Sequence, residues 1–570
     1  MSVPYAHLPA ALVLCGDVRV MNVRGTRAKA VGWSDGHIVA TGSREDVERR
    51  VGPGARVHDV GAAAVLPGFV DAHHHPSIVA LYGALVRLAP PTVVDVAGLQ
   101  RALASASSGL RPGAWLVATG WDEALLQERR EPTRDELDQA VPDRPLLALH
   151  YSCHRALANS RALELAGIDR NTPDPAGGLI GRGRGGVPNG LLIERGMSRV
   201  ETLARASLVA RDAEGFLERL AAHHRELAAA GITRVVDATV PGDLATLYHE
   251  AARRGLLTVP TVMMPVSTTG YLETPWDALD GPPTGEGDAE GPLLVGPLKL
   301  VFDGAPGCAM CIGWLQLAGV TLRTFALSLS LGSLDPLRTS LSVSPRLGRK
   351  VRTGIAIYGR DEARRIVAGA ADRGFAVATH AIGNEAIDTA LSAYEAAGAA
   401  LGRAGRPRIE HATFLDRDLV RRIAAVGAAV VAQPHFVTLP AFGSAPRIPG
   451  LPSSPLRWLL DAGVAVAGSS DFPVAGFAPL DGVRGAVTRR TARGRVHEPE
   501  QCIDLEEALA LYTRTAAEVA GAGAITGTLE PGKRADLVVL DGPLRDARDL
   551  ERAAVRATVI GGRCAFGGFE

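Results

Sequence analysis

The chain has 570 residues, too many for one simple core, which points to a large domain with an accessory domain or insertions. Its 46% hydrophobic and 21% charged residues are ordinary for a globular protein, and a formal net charge of zero gives no electrostatic footprint for nucleic acid or an anionic membrane. Six cysteines over this length do not make a disulfide scaffold. The CxxC pair, Cys308 and Cys311, has no second pair to complete a zinc cluster and reads as structural.

The N-terminal MSVPYAHLPAALVLCGDVRV has no basic start and only a short apolar run. It supports neither a signal peptide nor a membrane span, and Ile423 to Ala432 is too short to cross a bilayer. The expected location is the cytoplasm. ALVLCGDVRVMN and AVGWSDGHIVATG then read as short strands joined by turns. GTLEPGKRADLVVLDG and AVRATVIGGRCAFGG repeat that character at the other end. Both termini are expected to meet in a small β-sandwich, from residues 1–64 and 522–570.

Between them, strands alternate with helices. The strand candidates are Leu66–His75, Gly231–Ala238, Leu256–Met264, Pro297–Gly304, Phe375–Gly383, Arg406–Thr413, Gly427–Pro434 and Val464–Pro473. Helical stretches such as DEARRIVAGAADRG precede several of them, acidic at the start and ending at Gly. Eight such units predict an α/β fold, a (β/α)8 TIM barrel over residues 65–521. About 155 residues separate the first two strands, far beyond a normal connection, so an insertion is expected over 90–210. It carries strand candidates AWLVATGWD and RPLLALHYS. Its GGLIGRGRGGVPNG reads as a loop, because Gly at that density disfavours helix and strand interiors. Trp314 to Gly354 has no clear element assignment.

A barrel collects its active site at the C-terminal strand ends. The polar residues there are Asp71, His73 and His75 on the first strand and Lys299 and Asp303 on the fourth. His380, His411 and Asp471 follow on the fifth, sixth and eighth. Four histidines, a lysine and an aspartate on one face form a metal constellation. Strand alternation sends His73 and His75 to one side and His74 to the other. The HxH pair can then chelate one ion, while His74 packs and Asp71 orients a ligand. His223 and His224 lie on a helix and read as structural.

PGFVDAHHH, THAIG, RIEHA, GSSDFP and LEPGKRADLVVLD resemble the amidohydrolase superfamily. GWDE, HRALANSRALELAGI, DPAGGLI and PNGLLIERG resemble the family 3 branch that contains N-substituted formamide deformylases. The likeness spans nearly the whole chain. It implies a barrel beside a sandwich and a centre of one or two divalent ions, usually zinc. His73 and His75 match the first ligands, and His380 and His411 those of the second ion. Lys299 matches a lysine that in many members is an N6-carboxylysine bridging two metals, and Asp471 matches the catalytic aspartate, also a metal ligand.

The reaction implied is hydrolysis of a non-peptide C–N bond, such as an N-substituted formamide or N-acyl amine. Asp471 would serve as general base and then general acid. The partner is a small-molecule substrate, and the resemblance also implies a homodimer. A cyclic-amide hydrolase or an aminohydrolase is the alternative. A deaminase would show HxxE after strand five and no Lys299, whereas His380 is followed by Ala-Ile-Gly-Asn. A non-catalytic binding protein would have lost ligands, and none is lost. Substrate-contact candidates are Trp121, His154, Asn159, Glu194, Asn384 and His435. Asn159 is equally placed to cap the helix SRALELAGI, and Asn384 stands where relatives commonly carry Asp.

Overall fold

In a computed structural model of the chain, the structure describes residues 11–83, 85–266, 284–285, 287–304, 308–314, 322, 344–345, 350–439 and 448–569. The first ten residues, residues 305–307 beside the CxxC pair and most of the stretch from Trp314 to Gly354 lie outside them.

Eight parallel strands follow one another in chain order. They are Phe69–His74, Ile232–Val240, Thr261–Pro265, Leu298–Val301, Val377–Ala381, Arg408–His411, Ala429–Ala432 and Val466–Gly468. Strands one to three pair in one sheet and four to eight in another. A parallel bridge between Val266 and Lys299 links the two sheets. At the other join the His73 carbonyl accepts from the Asp471 amide at 2.7 Å, and the Phe472 carbonyl from the His75 amide at 3.1 Å. Most of these strands are buried at every residue, as parallel strands covered on both faces must be. Helix Arg417–Val426 shows why the covering helices form. Asp416 Oδ1 caps the Leu419 amide, Leu419, Val420 and Ile423 are buried, and Gly427 ends it at φ 73°. The third strand begins at Thr261, later than its sequence suggests; the apolar residues Leu256, Leu257 and Val259 before it are not strand.

The two termini meet in a single seven-stranded sheet. Leu537–Leu540 pairs antiparallel with Arg56–Pro67, which pairs parallel with Ala11–Arg19. Leu12, Leu14, Val31 and Trp33 pack with Leu537 and Val539 on one face. Val13, Cys15 and Ala30 pack with Val47 of helix Arg44–Val51 on the other. The register shifts between Cys15 and Asp17, at Gly16, where a Cβ would lie 2.9 Å from Val60.

The insertion builds its own six-stranded sheet from Val86 to Glu194. The glycine-rich stretch is not a loop: Gly178–Arg182 and Pro188–Glu194 form an antiparallel hairpin. Glycine is needed there for close backbone approach. A Cβ on Gly178 would lie 2.3 Å from the Gly196 nitrogen, and one on Gly181 2.3 Å from Asn189 Oδ1. No helix among the described residues is long and apolar enough to cross a membrane. Gly178→Ala should force the hairpin off the Arg195–Gly196 backbone and cost about 1–3 kcal/mol; the thermal unfolding midpoint against wild type measures it, and an unchanged midpoint refutes the packing argument.

Candidate metal centre and cavity

His73, His75, Lys299, His380, His411 and Asp471 all line one cavity of about 150 Å³. Strands one, four, five, six and eight and the turns that follow them deliver these residues, Lys299 from within strand four. Ligand atoms of His73, His75 and Asp471 lie within 4.8 Å of one another, close enough to hold an ion. His75 Nε2 is 3.1 Å and His73 Nε2 3.4 Å from Asp471 Oδ1. His380 and His411 have ring centroids 4.5 Å apart, and His411 and His73 5.1 Å.

The ring orientations are imposed from behind. His73 Nδ1 donates to Glu410, whose carboxylate takes Arg408 Nε at 2.5 Å and Nη2 at 3.0 Å. Gln433 Oε1 accepts from His411 Nδ1 at 2.8 Å, and Gln433 Nε2 donates to Ser469. In both rings Nδ1 is engaged, which leaves Nε2 as the lone-pair nitrogen. His75 Nδ1 and His380 Nε2 are buried with no hydrogen-bond partner. Glu410 and Arg408 were not singled out in the sequence. Their signal was a strand, Arg-Ile-Glu-His, that carries charge yet is buried throughout.

Burial dominates the ionisation of the site. It lowers His75, drives His380 well below its ordinary value and takes His411 to about 3, so these imidazoles are neutral. It takes Lys299 down to about 8 against the pull of Glu410 and Asp471. Burial also pushes the Asp471 carboxyl up, but its contacts with His73 and His75 prevail and hold it well below the carboxylate range. Asp71 and Asp303 rise to about 7 by burial, although each accepts backbone amides: Ser470 and His73 for Asp71, Ile382, Gly383 and Ala309 for Asp303. Asp471, His411 and Ala412 adopt φ of 55°, 72° and 44°, a left-handed conformation rare outside glycine.

His74 points away from the cavity, as alternation requires. Its Nδ1 accepts from the His75 amide at 2.7 Å, and its Nε2 meets His223 Nε2 at 3.3 Å. His223 also stacks on Phe472, next to Asp471. The helix histidine therefore braces the back of the site.

The cavity lining also includes the apolar residues Ile78, Leu81, Leu149, Met197 and Leu244. His154 lines the cavity, 5.5 Å from His380 by ring centroids. Its Nδ1 is 3.1 Å from both oxygens of Glu194. Burial opposes charge on His154, but Glu194 outweighs it and raises the imidazole. Gly304 makes room for this pair, since a Cβ there would lie 2.1 Å from Glu194 Oε1.

The other substrate-contact candidates lie elsewhere. Trp121 is fully buried in the insertion and donates to the Ala148 carbonyl at 2.9 Å. Asn159 caps helix Ser160–Leu165, and its amide is spent on the Val141 and Arg144 carbonyls. Asn384 is occupied on both sides by the Cys311 backbone, at 2.8 and 2.9 Å. His435 is buried outside the cavity lining. A second acidic group, Asp122 and Glu123 with His150, is close enough for an ion, yet Arg155 already donates to Glu123 at 2.8 Å and meets His150 Nε2 at 2.9 Å.

The sequence model of the Amidohydrolase family matches residues 56–566. The chain is 30% identical over 554 residues to an N-substituted formamide deformylase of Arthrobacter pascens, covering 96% of this chain and 95% of that protein. It is 27% identical to the putative amidohydrolase YtcJ of Bacillus subtilis strain 168, covering 97% and 98%. The crystal structure of an uncharacterised metal-dependent hydrolase from Pyrococcus horikoshii OT3 superposes with a TM-score of 0.67 at 23% identity, over 94% of this chain and 98% of that one, and shares its α/β fold. Family model, deformylase likeness and common fold agree: this chain belongs to the amidohydrolase family and is a hydrolase of carbon–nitrogen bonds.

Proposed function

We propose that the chain hydrolyses a small non-peptide amide, an N-substituted formamide or N-acyl amine, at a divalent-metal centre. The observation that carries this reading is the convergence of four histidines, Lys299 and Asp471 on one apolar-walled cavity. The eight parallel strands then form a (β/α)8 barrel, flanked by a small β-domain from both termini. His73, His75 and Asp471 would hold one ion, and His380 and His411 a second, with Lys299 as a carbamate between them. The neutral rings and the unpartnered nitrogens of His75 and His380 fit that role. Burial of Lys299 also suits it, because a lowered pKa leaves more of the amine neutral and able to combine with CO2. When bound, the ions, taken here as zinc, supply a water of lowered pKa and an electrophile for the carbonyl oxygen.

Asp471 takes a proton from the attacking water and returns it to the departing amine, which leaves poorly as an anion. Its ionised state at neutral pH suits it as the base. His154, held by Glu194 beside His380, orients the carbonyl end of the substrate. The apolar part of the lining, Ile78, Leu81, Leu149, Met197 and Leu244, takes the N-substituent.

Asp471→Asn, which keeps a side-chain oxygen to ligate but loses the base, should lower kcat by about a hundredfold to ten-thousandfold while metal content per chain, read by elemental mass spectrometry, stays near wild type. Turnover surviving in that variant removes Asp471 from the mechanism. Glu410→Gln leaves Arg408 buried and unpaired and should cost about 3–5 kcal/mol of stability. It should also weaken metal affinity about tenfold to a hundredfold through His73, measured by competition with a chelator. Protein grown with zinc and bicarbonate that cleaves none of a panel of formamides and N-acyl amines would refute the substrate reading.

A further inference from the structure

Tyr82, Glu201 and Arg205 line the same cavity and make no hydrogen bond to the metal-side residues. Tyr82 ends helix Pro76–Tyr82, which follows His75. Glu201 and Arg205 lie one turn apart on helix Ser198–Arg211, the exit of the insertion. Tyr82 donates to Glu201 Oε1 at 3.3 Å, and Arg205 Nε is 3.6 Å from the same oxygen. Arg205 Nη1 is committed to both oxygens of Asp243, at 2.5 and 2.7 Å. Glu201 Oε2 and Arg205 Nε are buried without a hydrogen-bond partner.

One guanidinium here answers two carboxylates. With Glu201 ionised, the two carboxylates outnumber the one guanidinium, in a setting only partly open to water, with 16% of the Glu201 side chain and 33% of that of Asp243 exposed. A ligand carboxylate would be repelled despite the arginine, because Asp243 has already engaged it. A hydrogen-bond donor would be drawn to Glu201, whose second oxygen has spare accepting capacity. Burial raises the Glu201 carboxyl, so a donor partner also relieves the cost of keeping it charged.

We propose that Glu201, fixed by Tyr82 and Arg205, is a specificity subsite that accepts a hydroxyl or protonated amine on the substrate's N-substituent and rejects a carboxylate. This rests on the hydrolase reading above. The substrate class is then an amide of a small amine whose apolar body ends in a donor group.

The test uses three matched substrates on the metal-loaded protein: N-benzylformamide and its para-hydroxy and para-carboxy derivatives, with formate release giving kcat/KM. The para-hydroxy compound should exceed the parent by about tenfold or more, and the para-carboxy compound should fall below it by a similar factor. Glu201→Gln, which keeps shape and loses charge, should shrink both ratios several-fold, with the change mainly in KM. Tyr82→Phe, which loosens Glu201, should shift the hydroxyl ratio the same way if Glu201→Gln folds poorly. A preference for the carboxylate, or ratios untouched in both variants, overturns the proposal. If no formamide is cleaved, the deformylase reading fails separately. Calorimetric affinities of the same compounds then decide the subsite: the same order supports it, and no order or no binding overturns it.

Discussion

Arg408, Glu410 and His73 form a charged chain with almost no solvent contact at the centre of the parallel strands. Such a chain is a poor device for stability, because the desolvation of a buried ion pair commonly consumes what its attraction returns. Its effect here is directional. Arg408 fixes the carboxylate from one side and also donates to the Ala72 carbonyl at 2.6 Å, one residue before His73. Glu410 is then held where it can only accept from Nδ1, and the ring has one remaining way to present a lone pair. Strand one and strand six are thereby locked in the relation that the cavity needs.

The same device recurs at the other strand ends. Asp71 Oδ1 accepts the Ser470 amide at 2.9 Å and ties strand one to the turn after strand eight. Asp303 accepts amides from the turns after strands four and five. Asp237 accepts the Ser77 amide at 2.8 Å and the Tyr248 hydroxyl at 2.5 Å, joining strand two to the helix that follows His75. Each buried carboxylate spends itself on orphan backbone donors, which would otherwise be costly to bury. The turn after strand eight, held by Asp71 at Ser470, carries Asp471 in the left-handed conformation, a local cost of about 1–3 kcal/mol that needs such support.

Much of this was legible in the chain. Apolar runs punctuated by Gly and Asp marked the eight strands, and the period of two separated His73 and His75 from His74. The cap signal Asn159-Ser-Arg-Ala was legible as well, and it describes what Asn159 does. What could not be read depends on neighbours distant in sequence. Glu410 lies inside a strand, before its polar C-terminal end, and its partner is 337 positions away. The glycines of the insertion hairpin look like a loop until the backbone of Gly196 is known to lie against Gly178. Asn384 sits beside a site histidine in sequence, yet the Cys311 strand absorbs it.

Charge balance gives Lys299 a particular place in the proposed centre. His75, His380 and His411 are neutral, and the charge of Glu410 is met by Arg408. Among the metal-side residues that leaves the Asp471 carboxylate and the Lys299 amine, a pair that sums to zero and offers little to a divalent cation. Carbamylation would turn the lysine from a cation into an anion, a change of two units, equal and opposite to the charge of one divalent ion. A residue that stayed permanently charged, such as arginine, could not make that change. Burial supplies the condition for it, since a lysine in water would be protonated almost completely at neutral pH. The burial that encloses Lys299 thus sets the ionisation of the group that would hold the metals.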